Sequence, residues 1–112
     1  GLVVDRSMAV KLWVDDERQP PDDTWRWATN SAEALRLLQD ACVEEISLDH
    51  DLGGSDTTRP VVTWMATEEH WPSVIYVHSW NIVGATWLMG TCERYAPPTT
   101  RVIRQLYDPH MP

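Results

Sequence analysis

Short β-rich runs alternate with segments of helical periodicity along this chain, and that order leaves few sheets available. Val10 to Val14 (VKLWV) reads as a strand that stops at Asp15-Asp16, and Trp25 to Trp27 as a second strand after the breaker Pro20-Pro21-Asp22-Asp23. Asn30 with Glu33 three residues on predicts a capped helix start, continued by Ala34, Leu35, Leu37 and Leu38. Ile46 to Leu48 is the third strand. Thr58-Arg59-Pro60 then opens a helix with Val61, Trp64 and Met65 on one stripe. Val74 to Val77 is the fourth strand, Ile82 to Tyr95 a third helix, Pro97-Pro98 a break, and Arg101 to Tyr107 a last strand. Strand, helix, strand in this order predicts an α/β domain, a mainly parallel sheet between two covering layers. Only Glu17 to Thr24 separates the first two strands. That is too short for a helix and tight for a parallel crossover, so the first helix should be shortened or missing and the sheet trimmed or irregular there.

In such a sheet ligands bind beyond the carboxyl ends of the strands, where the strand order reverses. The first strand ends in Asp15 and Asp16, the third in Asp49, His50 and Asp51, and the fourth in His78, Ser79 and Asn81. A polar turn explains any one of these clusters. Three at the same edge are better explained by a site. Several carboxylates on one rim must share a proton or a cation, and hard oxygen ligands suit Mg²⁺ or Mn²⁺. His50 and His78 lack the spacing of a zinc site and have no cysteine beside them, so proton transfer or hydrogen bonding to phosphate is the expected role. His70 and His110 lie outside the clusters and are expected to be structural.

Charge narrows the partners. Seventeen acidic against nine basic residues give a net charge of -8 over 112 residues, which argues against a broad nucleic-acid-binding patch or an anionic membrane surface. No apolar run is long enough for a membrane span. Cys42 and Cys92 read as free thiols in a reducing compartment, with the cytoplasm as the default. The opening GLVVDRS has no periodicity and Met8 could be the natural start. Residues 1–9 are therefore expected to be a frayed or added terminus, and 10–112 a single domain.

At these residues the chain resembles the receiver domains of response regulators, whose acidic triad Asp15, Asp16 and Asp49 match; the segment Ala28 to Leu38 (ATNSAEALRLL) resembles the second helix of that fold. It is more closely similar to a receiver-like branch, the cyclic-phosphate-processing receiver family, through LWVDDERQPP (Leu12 to Pro21), SLDHDLG (Ser47 to Gly53) and HSWN (His78 to Asn81). The resemblance implies a small flavodoxin-like, three-layer fold and a metal-dependent phosphoesterase acting on cyclic phosphates of RNA ends or nucleotides. It implies Asp15, Asp16 and Asp49 as metal ligands, with Asp51 a further ligand or a turn cap. His50, His78 and Asn81 would face the substrate, with His78 the leading proton donor, and Arg18 would bind a phosphate oxygen. The lysine that phosphorylatable receivers carry at the end of the last strand is missing, since Lys11 is the only lysine. Arg101 or Arg104 is the available substitute cation, and a phosphorylation switch is disfavoured.

Seven tryptophans exceed what a small core requires. Trp64 and Trp87 fall on apolar helix faces. Trp80, inside HSWN and beside Ser79, is the candidate to stack on a base. The same excess supports a second reading, a catalytically idle interaction module that binds a protein. Such domains occur in bacterial and phage genomes, and a phage-encoded one could bind a host protein.

Overall fold

A computed structural model describes residues 9–105. Five strands, β1 (Ala9–Val14), β2 (Trp25–Ala28), β3 (Cys42–Leu48), β4 (Val74–Val77) and β5 (Arg101–Arg104), form one sheet in the order β2-β1-β3-β4-β5, and every neighbouring pair is parallel. Three helices, α1 (Ser31–Asp40), α2 (Arg59–Thr67) and α3 (Ile82–Tyr95), connect β2 to β5 in turn. This is the α/β, flavodoxin-like arrangement expected, and no helix stands between β1 and β2.

From β2 onward each connection moves across the sheet in the same direction. Right-handed crossovers therefore place all three helices on one face, and α2 packs against both α1 and α3. The core lies between that helical layer and the sheet. Leu12 and Val14, Ile46 and Leu48, Ile75 and Val77 come from the three central strands, and Leu38, Val61, Val62, Met65 and Leu88 from the helices. The β1–β2 connection runs the opposite way, so residues 15–24 supply the covering of the other face, where the indole N–H of the buried Trp13 donates to the Arg18 carbonyl at 2.8 Å.

The expected irregularity between β1 and β2 is not found. Lys11 to Val14 pair without a break with Trp25 to Ala28, and the register shift at Val10/Lys11 falls in the β1–β3 ladder instead. Parallel neighbours need a long crossover only when the strands are long. Here the return covers four residues of strand, roughly 13 Å, plus one strand spacing, which a ten-residue loop spans easily.

Local chemistry sets the element ends. The Asn30 side chain accepts the Glu33 N–H at 2.8 Å, while the Glu33 carboxylate reaches back to the Thr29 N–H at 2.9 Å, one residue earlier than in a standard capping box. Asp56 adds both carboxylate oxygens to Ser31, on its N–H at 2.9 Å and its hydroxyl at 2.6 Å, and so ties the β3–α2 loop to the start of α1. β3 begins at Cys42, four residues before the apolar run the sequence displays: Val43 is buried, Glu44 is the extra residue opposite the Val10/Lys11 step of β1, and the half-buried Glu45 accepts from the Tyr76 hydroxyl at 3.1 Å. The part of the predicted last strand beyond residue 105, and His110, lie outside the described residues.

Ile46 is fully buried at the centre of β3, between β1 and β4. Ile46→Ala should cost about 2–5 kcal/mol of stability in urea unfolding, the range for a large-to-small change in a packed core.

Candidate active site

Asp15 leaves the end of β1 almost fully buried, and each of its oxygens is engaged. Oδ1 accepts the backbone N–H groups of Glu17 and Arg18, both at 2.8 Å, and Oδ2 lies 2.9 Å from Nε2 of His78. Burial pushes this carboxyl up, but the hydrogen bond from His78 and the two backbone N–H bonds outweigh it, leaving Asp15 below the usual carboxylate range. With an ionised acceptor on Nε2, that nitrogen carries the proton, and Nδ1 accepts from the Ser47 hydroxyl at 2.7 Å.

His78 was expected to face substrate, and it does not. Its ring is 0 % exposed, stacked on Trp13 with centroids 4.0 Å apart, and both nitrogens are hydrogen-bonded inside the protein. Strand alternation explains the placement. His78 continues the Tyr76 side of β4, under the residue 15–24 connection and away from the open edge.

His50 is also committed. Arg59 donates through Nε to Nε2 at 2.9 Å, so Nδ1 carries the proton and donates to Asp51 at 2.9 Å. The ring rests against the first turn of α3, where a Cβ on Gly84 would fall 2.3 Å from its Cγ. The bond from His50, followed by one from the Asn81 amide at 3.0 Å, holds Asp51 below the usual carboxylate range. The Asn81 oxygen caps α3 by accepting the Gly84 N–H at 3.0 Å.

Asp15, Asp16 and Asp49 do come together, each offering an oxygen within 4.8 Å of the others. Asp49 is pushed above the usual carboxylate range, first by burial and then by the charge of Asp15; hydrogen bonds from the His50 N–H and the Ser79 side chain pull the other way without cancelling the effect. Gly53, at φ +87°, brings the loop close enough that a Cβ there would sit 3.3 Å from Asp16 Oδ2. Like charges held this close call for a proton or a cation, and an all-oxygen donor set fits a hard divalent ion.

Around the carboxylates opens a cleft of about 410 Å³, whose wall includes Asp16, Asp49, Asp51, Arg18, Trp80 and Asn81. The Arg18 guanidinium lies over the Trp80 ring at 4.9 Å and donates to the His78 carbonyl at 3.3 Å. A larger groove of about 690 Å³ between α2 and α3 is walled by Thr63, Thr67, Thr86, Thr91 and Trp87, and it carries no carboxylate.

Neither substitute for the missing lysine reaches the carboxylates. Arg101 is exposed at the start of β5, the far edge of a parallel sheet. Arg104 spends its guanidinium on main chain, with Nη1 on the Val77 carbonyl at 2.8 Å and Nη2 on the Ser79 carbonyl at 2.5 Å. It braces the loop that carries Ser79, Trp80 and Asn81. Sequence reasoning assigned no site role to Arg59, Gly84 or Ser47. Ser47 sits inside SLDHDLG, but Arg59 and Gly84 carry no local signal, since their partner His50 comes from another element.

The fold and the acidic edge define a receiver-type α/β domain. The model of the cyclic-phosphate processing receiver domain matches residues 10–94, and the chain belongs to that family. Searches of curated proteins and of solved structures returned no match.

Two outcomes follow from the geometry. Gly→Ala inside a helix ordinarily stabilises by about 0.5–1 kcal/mol, but Gly84→Ala should destabilise, because its methyl meets the pinned His50 ring. Thermal unfolding should show the loss, and it should shrink in the Gly84→Ala/His50→Ala double variant. Asp49→Asn should raise the melting temperature in chelator. With the folded Asp49 value above the unfolded one, stability falls as pH rises from the ordinary carboxylate range through the raised value. Asp15, depressed in the fold, acts in reverse, its contribution being lost as pH falls. Saturating Mg²⁺ should invert the ranking, stabilising the wild type by about 2.7 kcal/mol at 100 times Kd and leaving Asp49→Asn unmoved.

Proposed function

We propose that the cleft binds a divalent cation, Mg²⁺ or Mn²⁺, on Asp15, Asp16 and Asp49, and works as a phosphoesterase on cyclic phosphates. The observation that carries this reading is the convergence of Asp15, Asp16 and Asp49 at the sheet edge, with Asp16 and Asp49 sharing a cleft wall with one guanidinium, Arg18. Membership of a cyclic-phosphate processing family supports the substrate class. A bound cation would supply charge neutralisation for the phosphate and a more acidic water.

The reaction adds one water to the cyclic ester. A P–O bond forms to the water oxygen, one ring P–O bond breaks, and the leaving alkoxide takes up a proton, giving an acyclic monoester. Arg18 binds a non-bridging oxygen, where a planar fork gives charge and direction together. Asp51 has a side chain 63 % exposed, lines the cleft and stays ionised, so it orients the water and accepts its proton. Asn81 holds Asp51 in place, and Ser79 does the same for Asp49. The two histidines act as positioning residues, His78 for Asp15 and His50 for Asp51, because the nitrogens of both rings are already bonded. The fourth carboxylate is thus assigned to proton handling rather than to the metal.

A second reading, an idle interaction module, draws on the exposed run of Trp80, Ile82 and Val83. No helix among the described residues is long and apolar enough to cross a membrane, and both described cysteines are free. These observations fit the cytoplasmic location we propose.

Calorimetry with adenosine 2′,3′-cyclic phosphate in Mg²⁺ should show binding that Arg18→Ala weakens roughly 10- to 150-fold, the loss of one hydrogen bond to a charged group, with cation affinity unchanged. Arg18→Lys should recover only part of it. Absence of binding or turnover with either cation, together with recovery of one specific protein partner, would establish the interaction module instead.

A further inference from the structure

The composition of the cleft wall bears on what carries the phosphate. Arg18 is its single basic side chain, and the other ionisable groups on it, Asp16, Glu17, Asp49 and Asp51, are acidic. At the mouth stands Trp80, 61 % exposed although it belongs to a loop that is braced on both sides. Arg18 stacks on its ring and holds the His78 carbonyl, while Arg104 holds the carbonyls of Val77 and Ser79. Three successive carbonyls fixed by two guanidinium groups leave the backbone beneath the indole little freedom. An exposed aromatic ring held in this way is a preorganised stacking surface.

We infer that the cleft selects a single nucleotide-sized phosphate ester, one phosphate on Arg18 and one planar ring on Trp80, rather than the end of a polynucleotide. This rests on the phosphate-ester reading above and specifies its substrate. The volume of about 410 Å³ lies in the range of small-molecule sites. A polynucleotide would bring further phosphates against Glu17, Asp16 and Asp51 on a chain of net charge -8, with no second cationic side chain on the wall to receive them. A small aliphatic ester would satisfy Arg18 and forgo the stacking.

The test is calorimetric binding in Mg²⁺ of three probes: adenosine 2′,3′-cyclic phosphate, glycerol 1,2-cyclic phosphate, and an oligoadenylate ending in a 2′,3′-cyclic phosphate. Wild-type protein should prefer the adenosine ester to the glycerol ester roughly 5- to 150-fold, the worth of one base stacked on an aromatic side chain. The oligomer should bind more weakly than the mononucleotide. Trp80→Ala should erase the preference for adenosine, weakening the adenosine ester more than the glycerol ester, and Trp80→Phe should keep most of it. Equal affinity for the adenosine and glycerol esters overturns the role of Trp80, and tighter binding of the oligomer overturns the limit to one nucleotide. Binding of none of the three probes overturns the phosphate-ester reading and this inference with it.

Discussion

The hydrogen-bonded chain from Ser47 through His78 to Asp15 is the interaction on which the rest of the site depends. It crosses the three central strands, with Asp15 at the end of β1, Ser47 on β3 and His78 just after β4, and all three side chains are buried. A buried carboxylate without partners would be strongly destabilising, whereas one that accepts from an imidazole and two backbone N–H groups can stay ionised. Burial, and then that fixed negative charge, push Asp49 up, and Asp16, next in the chain to Asp15, completes the cluster. Asp15 also orders the start of the β1–β2 connection, since Glu17 and Arg18 are bent around Oδ1. Arg18 owes its direction toward the cleft to that bend.

A division of labour follows among residues that look alike in the sequence. Of the four carboxylates, Asp15 is the buried anchor of an oxygen cluster that Asp16 and Asp49 complete, and Asp51 is held from outside it by His50 and Asn81. Neither imidazole opens on the cleft. Each has a carboxylate on one nitrogen and a second partner on the other, a serine hydroxyl for His78 and a guanidinium for His50. An arginine can only donate, so its bond to Nε2 decides the His50 tautomer without reference to solvent. The cost of holding that ring is written into α3, where Gly84 leaves the space a methyl group would fill.

Arginine chemistry also separates this domain from receivers that switch by phosphorylation. A lysine at the end of the last strand would present a mobile point charge to the carboxylates. Arg104, at that place, instead uses its fork to join β4 and the following loop, and the cation of the cleft comes from the opposite wall through Arg18. The loop between β4 and α3 is therefore braced, its carbonyls held by Arg18 and Arg104.

Much of the architecture was legible in the sequence because strand and helix periods are local. The cap at Asn30, the proline in the first turn of α2, the bounds of α3 and the absence of a helix before β2 all rest on neighbours in the chain. The carboxyl-edge position of Asp15, Asp16 and Asp49 followed from the parallel order, as did the grouping with Ser79 and Asn81. Less legible was β3, since Glu44 and Glu45 broke its apolar run, and the β1–β2 ladder, since a short crossover is a difficulty only for long strands. Spacing could not decide which way the two histidines point, because a ring at the end of a strand turns toward the cleft or the interior according to strand parity and to what waits there. Trp13, Ser47 and Asp15 were waiting for His78, and Arg59 and Gly84 for His50. The sequence by itself determined which groups gather at one edge, for that needs only the order of the strands. Tertiary structure alone decided which of them remain open to a ligand, because burial and hydrogen-bond partners are contributed by elements distant in the chain.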